Sequence, residues 1–258
     1  MRYTNGGNKQ LNYSNPRISS RGLRICVLPV FFIIAVFGGC SSESKGPKYE
    51  IFPPAKGKGA IVVVASGYSG PGLYRDFCSK LAELGYFTVL MDGKDLFDPG
   101  SIGLIVPGME NLQTVIAESK SSLQAIPGKV SLVGFSVGGA GVLSYGTKLK
   151  DQVSAVVAYY PAITTMGRDM KTFAAGLQTP VLLFAGEKDL YHNCCLIESM
   201  RELAEAPKTV PFELVEYSKA HHGFNIKSLP FTYRPEDAAD SWARTVAFLN
   251  RLHPPGGK

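Results

Sequence analysis

From Ala60 onward, short unbroken apolar runs alternate with longer stretches in which apolar positions return every three or four residues. Ala60–Ala65 (AIVVVA), bounded by Gly59 and Ser66-Gly67, carries apolar side chains at both phases of the pleat and predicts a strand buried on both faces. Leu73, Phe77, Leu81 and Leu84 mark one face of a helix over 73–84, with Gly85 as its stop. Phe87–Met91 is the next strand, Glu110–Ala125 a helix, and Val130–Gly134 (VSLVG) a strand. Helix Gly138–Leu149, strand Val153–Tyr160, strand Val181–Ala185 (VLLFA) and helix Leu196–Ala206 continue the series. Strand Phe212–Tyr217 and a closing helix over Glu236–Leu252 end it. Strict alternation predicts an α/β fold, a mostly parallel twisted sheet with helices on both faces. Ligands then bind beyond the carboxyl ends of the strands, so the chemistry belongs in the loops that follow them. Between Tyr160 and Val181 there is length for about one helix, which excludes a large cap domain.

Composition adds bounds. At 45% hydrophobic and 19% charged residues, the 258-residue chain is an ordinary globular protein, long enough for one α/β domain. The net charge of +6 suggests nucleic acid until its location is read. Arg2, Lys9, Arg17, Arg21 and Arg24 all precede residue 40 and no acid does, so the remainder carries +1. A phosphate-tracking face would keep its cations within the folded domain, and no nucleic-acid partner is expected.

Those cations belong to a leader. Arg21 and Arg24 precede thirteen mainly apolar residues, Ile25–Phe37, then Gly38-Gly39-Cys40, the layout of a secretory signal. As a helix the run spans only about 20 Å, short of a hydrocarbon core of roughly 30 Å. Gly-Gly-Cys resembles the lipobox of bacterial lipoproteins, with Phe37 where leucine is usual. The resemblance implies a signal peptide over 1–39, acylation of Cys40 and a chain held on a membrane of the bacterial cell envelope, outside the cytoplasm. Several acyl chains would anchor it far more firmly than one. Residues 40–48 read as a tether and 49–258 as the folded domain. Of the remaining cysteines, Cys78, Cys194 and Cys195 permit at most one internal disulfide. Sequence neighbours seldom bond because the geometry is demanding, so buried thiols are expected, and no spacing suggests zinc.

Three loops carry candidate chemistry. Strand VSLVG runs into Gly134-Phe135-Ser136-Val137-Gly138-Gly139 and then a helix, a G-x-S-x-G turn in its strand–turn–helix setting. The turn is sharp enough that side chains two residues before and after the serine would collide, a need that Gly134 and Gly138 meet. VLLFA leads into Gly186-Glu187-Lys188-Asp189, where Asp189, deeper in the loop than Glu187, is the candidate acid. The last strand leads into Ala220-His221-His222-Gly223-Phe224, giving a general base after the serine and the acid.

The segments G-F-S-V-G-G, G-E-K-D and A-H-H-G-F resemble those of the dienelactone hydrolase family, within the α/β-hydrolase superfamily. Tyr159-Tyr160-Pro161 and the closing helix with Trp242 and Arg244 extend the resemblance across Ala60 to Leu252. It implies His222, directly before Gly-Phe, as the base, with His221 its neighbour. Founding members use cysteine as nucleophile, with a glutamate in the loop after the first conserved strand. Here serine stands at 136 and the loop reads Ala65-Ser66-Gly67-Tyr68-Ser69-Gly70, without an acid. Serine depends on its histidine for deprotonation, so the two departures agree with one another and point to esters other than dienelactone. Backbone N–H groups of Tyr68 and Val137 are the expected oxyanion donors.

The expected reaction is hydrolysis of small or medium carboxylic esters through an acyl-enzyme on a Ser136–Asp189–His222 triad, with no cofactor and no metal. A monomer is expected. Two other readings stand beside it: a catalytically silent hydrolase-fold binding module, and an acyltransferase or thioesterase on the same triad.

Overall fold

The computed structural model describes residues 46–97, 107–167 and 169–256. The expected signal peptide over 1–39, with Cys26, and Cys40 and residues 41–45 of the expected tether lie outside the described residues. Among the described residues seven strands form one sheet: β1 Tyr49–Phe52, β2 Gly59–Ala65, β3 Phe87–Met91, β4 Ala125–Phe135, β5 Val153–Tyr159, β6 Val181–Gly186 and β7 Phe212–Tyr217. Their spatial order is β1-β3-β2-β4-β5-β6-β7, with only β1 antiparallel to its neighbour.

The unbroken apolar run of β2 serves two cores. Ile61, Val63 and Ala65 pack on one face with helices α2 (Gly108–Lys120), α3 (Val137–Gly141), α4 (Met170–Ala175) and α5 (Ile197–Glu205). Ala60, Val62 and Val64 pack on the other with α1 (Arg75–Glu83) and α6 (Pro235–Leu252). Alternation along a strand buried from both sides thus requires apolar residues at every position. The mostly parallel sheet with helices on both faces, expected from the alternation, is present, and among the described residues β5 and β6 are joined through only a 3₁₀ turn, Thr164–Met166, and the short α4.

Three elements differ from expectation. β1 was not predicted, because a four-residue edge strand with Ile51 half exposed carries little periodic signal. Helix α2 ends at Lys120, not Ala125. The Ser119 and Ser121 hydroxyls donate back to Val115 and Glu118 carbonyls at 2.6 Å, and Gly59 N–H takes the Gln124 carbonyl at 2.9 Å, drawing the chain into β4. The helix after Ser136 passes from the glycine-rich α3 into a π-helical stretch over Val142–Gly146.

Candidate active site

β4 is central to the sheet, and its carboxyl end delivers Ser136 at φ 53° and ψ −116°. That backbone conformation is unfavourable for a residue with a Cβ and persists only where the surroundings impose it. They do so through hydrogen bonds: Ser136 N–H donates to the Tyr159 carbonyl at 3.0 Å, and Ala140 and Ala162 N–H groups donate to the Ser136 carbonyl at 2.9 and 3.0 Å. A Cβ on Gly134 would strike the Gly138 carbonyl, and one on Gly138 the carbonyls of Ala65 and Ser66. Both glycines are required by close backbone approach.

The loop after β6 brings in the acid. Lys188 N–H donates to the Ala220 carbonyl at 3.0 Å and Asp189 N–H to the Gly186 carbonyl at 3.2 Å, which folds the loop inward. Asp189 is 2% exposed. Its Oδ1 accepts from Tyr191 N–H at 3.1 Å and its Oδ2 lies 2.8 Å from His222 Nδ1. Glu187 points elsewhere, pairing with Arg201 at 3.3 Å. His222 stands on the loop after β7, its Nε2 3.1 Å from Ser136 Oγ. A carboxylate only accepts, so Nδ1 carries the proton and Nε2 is free to accept from the Ser136 hydroxyl. The three residues proposed as a triad are therefore brought into one hydrogen-bonded line. His221 borders the cleft outside that line.

The sequence gives no role beside the histidine to two aromatic residues that pack on it. The Tyr191 ring stacks on His222 at 4.6 Å and 14°, and Tyr160 meets its edge at 4.7 Å. Tyr160, at φ 36°, is buried, its hydroxyl donating to Asn225 Oδ1 at 2.8 Å; burial raises its pKa well above the usual phenol value. Its position directly after a buried strand was the available signal. Tyr191 had none, since it lies in an irregular turn.

Two cavities meet at Ser136, of about 520 and 730 Å³. Tyr68 and Tyr191 border both. The first runs past Leu73, Ile226 and Leu229, the second past Val137, Phe97 and Met166. Tyr68, half exposed, thus borders the cleft, with the Lys94 ammonium 5.4 Å from its ring centre.

The cysteines require a correction. Cys194 and Cys195, expected as thiols, are bonded to each other, while Cys78 is a free, buried thiol whose pKa burial raises. The turn before them is already irregular, with His192 and Asn193 in left-handed backbone, and packing holds both sulfurs at 8% and 1% residue exposure. The general rarity of bonds between sequence neighbours does not decide a position built this way.

A serine, an acid and a histidine in this chain order, at the carboxyl ends of the parallel strands β4, β6 and β7, define the α/β-hydrolase class. By sequence the chain belongs to the dienelactone hydrolase family, whose family model matches residues 105–253. It is 28% identical over 219 residues to a protein of Methylorubrum extorquens named as a candidate carboxymethylenebutenolidase, covering 77% of this chain and 74% of that one. It is also 28% identical over 227 residues to protein usf of Aquifex pyrophilus, covering 80% and 95%. The crystal structure of a candidate dienelactone hydrolase from Klebsiella pneumoniae superposes with a TM-score of 0.65 at 22% identity, over 79% of this chain and 99% of that one. Thermogutta terrifontis esterase 2, phosphorylated by paraoxon, gives 0.62 at 18% identity, over 81% and 90%. These solved structures share the fold.

Proposed function

We propose that the protein is a serine hydrolase of carboxylic esters that works through an acyl-enzyme on Ser136. One observation carries the reading: His222 lies between Ser136 Oγ at 3.1 Å and Asp189 Oδ2 at 2.8 Å. In this geometry Nε2 takes the hydroxyl proton as Oγ attacks the ester carbonyl, and Asp189 stabilises the imidazolium that forms. The tetrahedral oxyanion is held by the backbone N–H groups of Val137 and Tyr68, and collapse expels the alcohol with a proton from Nε2. Water, deprotonated by the same nitrogen, then releases the acid. No step requires a metal or an organic cofactor.

Family membership and the name of the Methylorubrum relative support ester-type substrates. The serine at 136 and the absence of an acid in Ala65–Gly70 favour a simple ester over dienelactone, since no carboxylate is present there to tune a thiol. Two modest cavities, with no cap domain among the described residues, suit small or medium esters with a group on each side of the scissile bond. The complete hydrogen-bonded triad disfavours the silent binding module. Thioester hydrolysis would use the same groups.

A hydrolysis panel varying acyl and alcohol size, run on the full chain with Ser136→Ala as control, tests the reading. Turnover of short-chain esters that falls by about 10⁴-fold or more in Ser136→Ala is the expected result. Undiminished turnover in that variant contradicts it.

The leader supports a second, separable proposal: Cys40 is acylated and tethers the domain to a membrane of the cell envelope. Cys40→Ala then shifts the protein to the soluble fraction or leaves an uncleaved precursor. Unchanged membrane retention with normal maturation refutes the anchor.

A further inference from the structure

The Tyr191–Asn193 turn leads directly into Cys194 and Cys195, whose disulfide lies against the histidine of the candidate triad. The two sulfurs and a ring nitrogen of His222 lie within 4.8 Å of one another. Cys195 is fully buried, whereas Cys194 borders the same cavity as Ser136 and Val137. None of the hydrolytic steps above uses either sulfur.

A disulfide is a poor ligand, and a thiolate is a strong one for soft cations. An external dithiol opens the bond by two successive exchanges, passing two electrons and two protons to the cysteines and becoming a disulfide itself. Two thiols and an imidazole are then left facing one another. A tetrahedral zinc ion at about 2.3 Å from sulfur and about 2.0–2.1 Å from nitrogen holds its donors roughly 3.5–3.8 Å apart. The three atoms already lie within 4.8 Å, up to about 1 Å wider than that geometry, so binding draws the histidine in while the opened S–S bond lets the sulfurs separate. Asp189 already holds Nδ1 at 2.8 Å, which leaves Nε2 as the ligand nitrogen. Carboxylate–histidine–metal pairs of this kind support many zinc sites.

We infer that Cys194, Cys195 and His222 form a binding site for a thiophilic divalent cation, available after reduction of the disulfide. Binding forms two metal–sulfur bonds and one metal–nitrogen bond, releases the two thiol protons to solvent, and leaves the fourth position to water from the cavity. The cation takes Nε2 from Ser136, so the occupied protein is inactive. The inhibition, though not the binding, rests on the hydrolase reading. Sequence spacing alone gave no sign of this site because the histidine arrives from a different loop.

The full-length protein is prepared oxidised, and reduced with dithiothreitol that is then removed. Cd²⁺ is titrated into each, with ultraviolet thiolate-to-cadmium absorption as readout, and Zn²⁺ is tested against phenyl-ester hydrolysis. Reduction is expected to add an absorption increment of two thiolates per chain, absent from the double variant Cys194→Ser, Cys195→Ser. His222→Ala keeps thiolate absorption but binds Cd²⁺ roughly tenfold or more weakly. Zn²⁺ lowers hydrolysis by roughly tenfold or more in the reduced form alone, and a chelator restores it. The inference is overturned if reduction adds no absorption, if the double variant shows the same increment, if His222→Ala binds Cd²⁺ unchanged, or if zinc inhibits both redox forms equally. Because the cadmium signal needs no turnover, a protein that binds Cd²⁺ yet hydrolyses nothing refutes the hydrolase reading and leaves the site standing.

Discussion

Ser136 sits at φ 53° because three backbone hydrogen bonds and two close glycine contacts leave it no other course. Gly138→Ala puts a methyl into the carbonyls of Ala65 and Ser66, in the interior where backbone has little room to yield. We expect a loss of about 1–3 kcal/mol or more in urea unfolding, together with lost hydrolysis as the elbow shifts. The acid is distinguished by a paired substitution. Asp189→Asn should lower kcat by about 10⁴, since the amide favours the wrong imidazole tautomer, while Glu187→Gln, whose partner is Arg201, should leave it nearly unchanged. Ser136 was legible because its glycines and flanking strand are local features. Asp189 was legible by depth in its loop, and His222 through the family resemblance. The packing of Tyr191 and Tyr160 on His222 and the Cys194–Cys195 bond were not, because each depends on how the loops fold.

Helix α6 closes one face of the sheet through polar contacts buried among apolar ones. The Tyr159 hydroxyl donates to the Ser241 carbonyl at 3.1 Å and shares a 2.7 Å bond with the Thr245 hydroxyl, both residues being fully buried. Tyr159→Phe leaves those partners unsatisfied and should cost about 1–3 kcal/mol in urea unfolding. At the helix end, His253 Nδ1 lies 2.9 Å from Ser131 Oγ on β4, and burial lowers its pKa below the ordinary 6.5. The unfolded chain therefore binds its proton at higher pH than the folded one. This contribution is full above about 6.5 and is lost as pH falls from there through the lower folded value. Unfolding free energy should decline over that window, and the decline should shrink in His253→Gln. Central strands and amphipathic helices were readable from periodicity. The edge strand β1 and the early end of α2 were not, since one pairs with a single neighbour and the other is set by serine hydroxyls and a strand partner distant in sequence.

The described residues place a two-sided cleft at the carboxyl edge of a mostly parallel sheet, and on our reading a lipid at Cys40 holds that sheet near a membrane. The short β5–β6 connection, read directly from the sequence, has no length for a large cap over that cleft. Short-chain esters should accordingly outpace long-chain triglycerides in the hydrolysis panel, and a wide preference for the latter would overturn the size argument. The central claim is narrower: Ser136 is an activated nucleophile. Paraoxon, or a fluorophosphonate, incubated with the full chain and followed by peptide mass spectrometry tests it most directly. The account predicts one adduct, on Ser136, formed slowly or not at all in His222→Ala and Asp189→Asn. A folded protein that takes up no label, or takes it up at another residue, contradicts it.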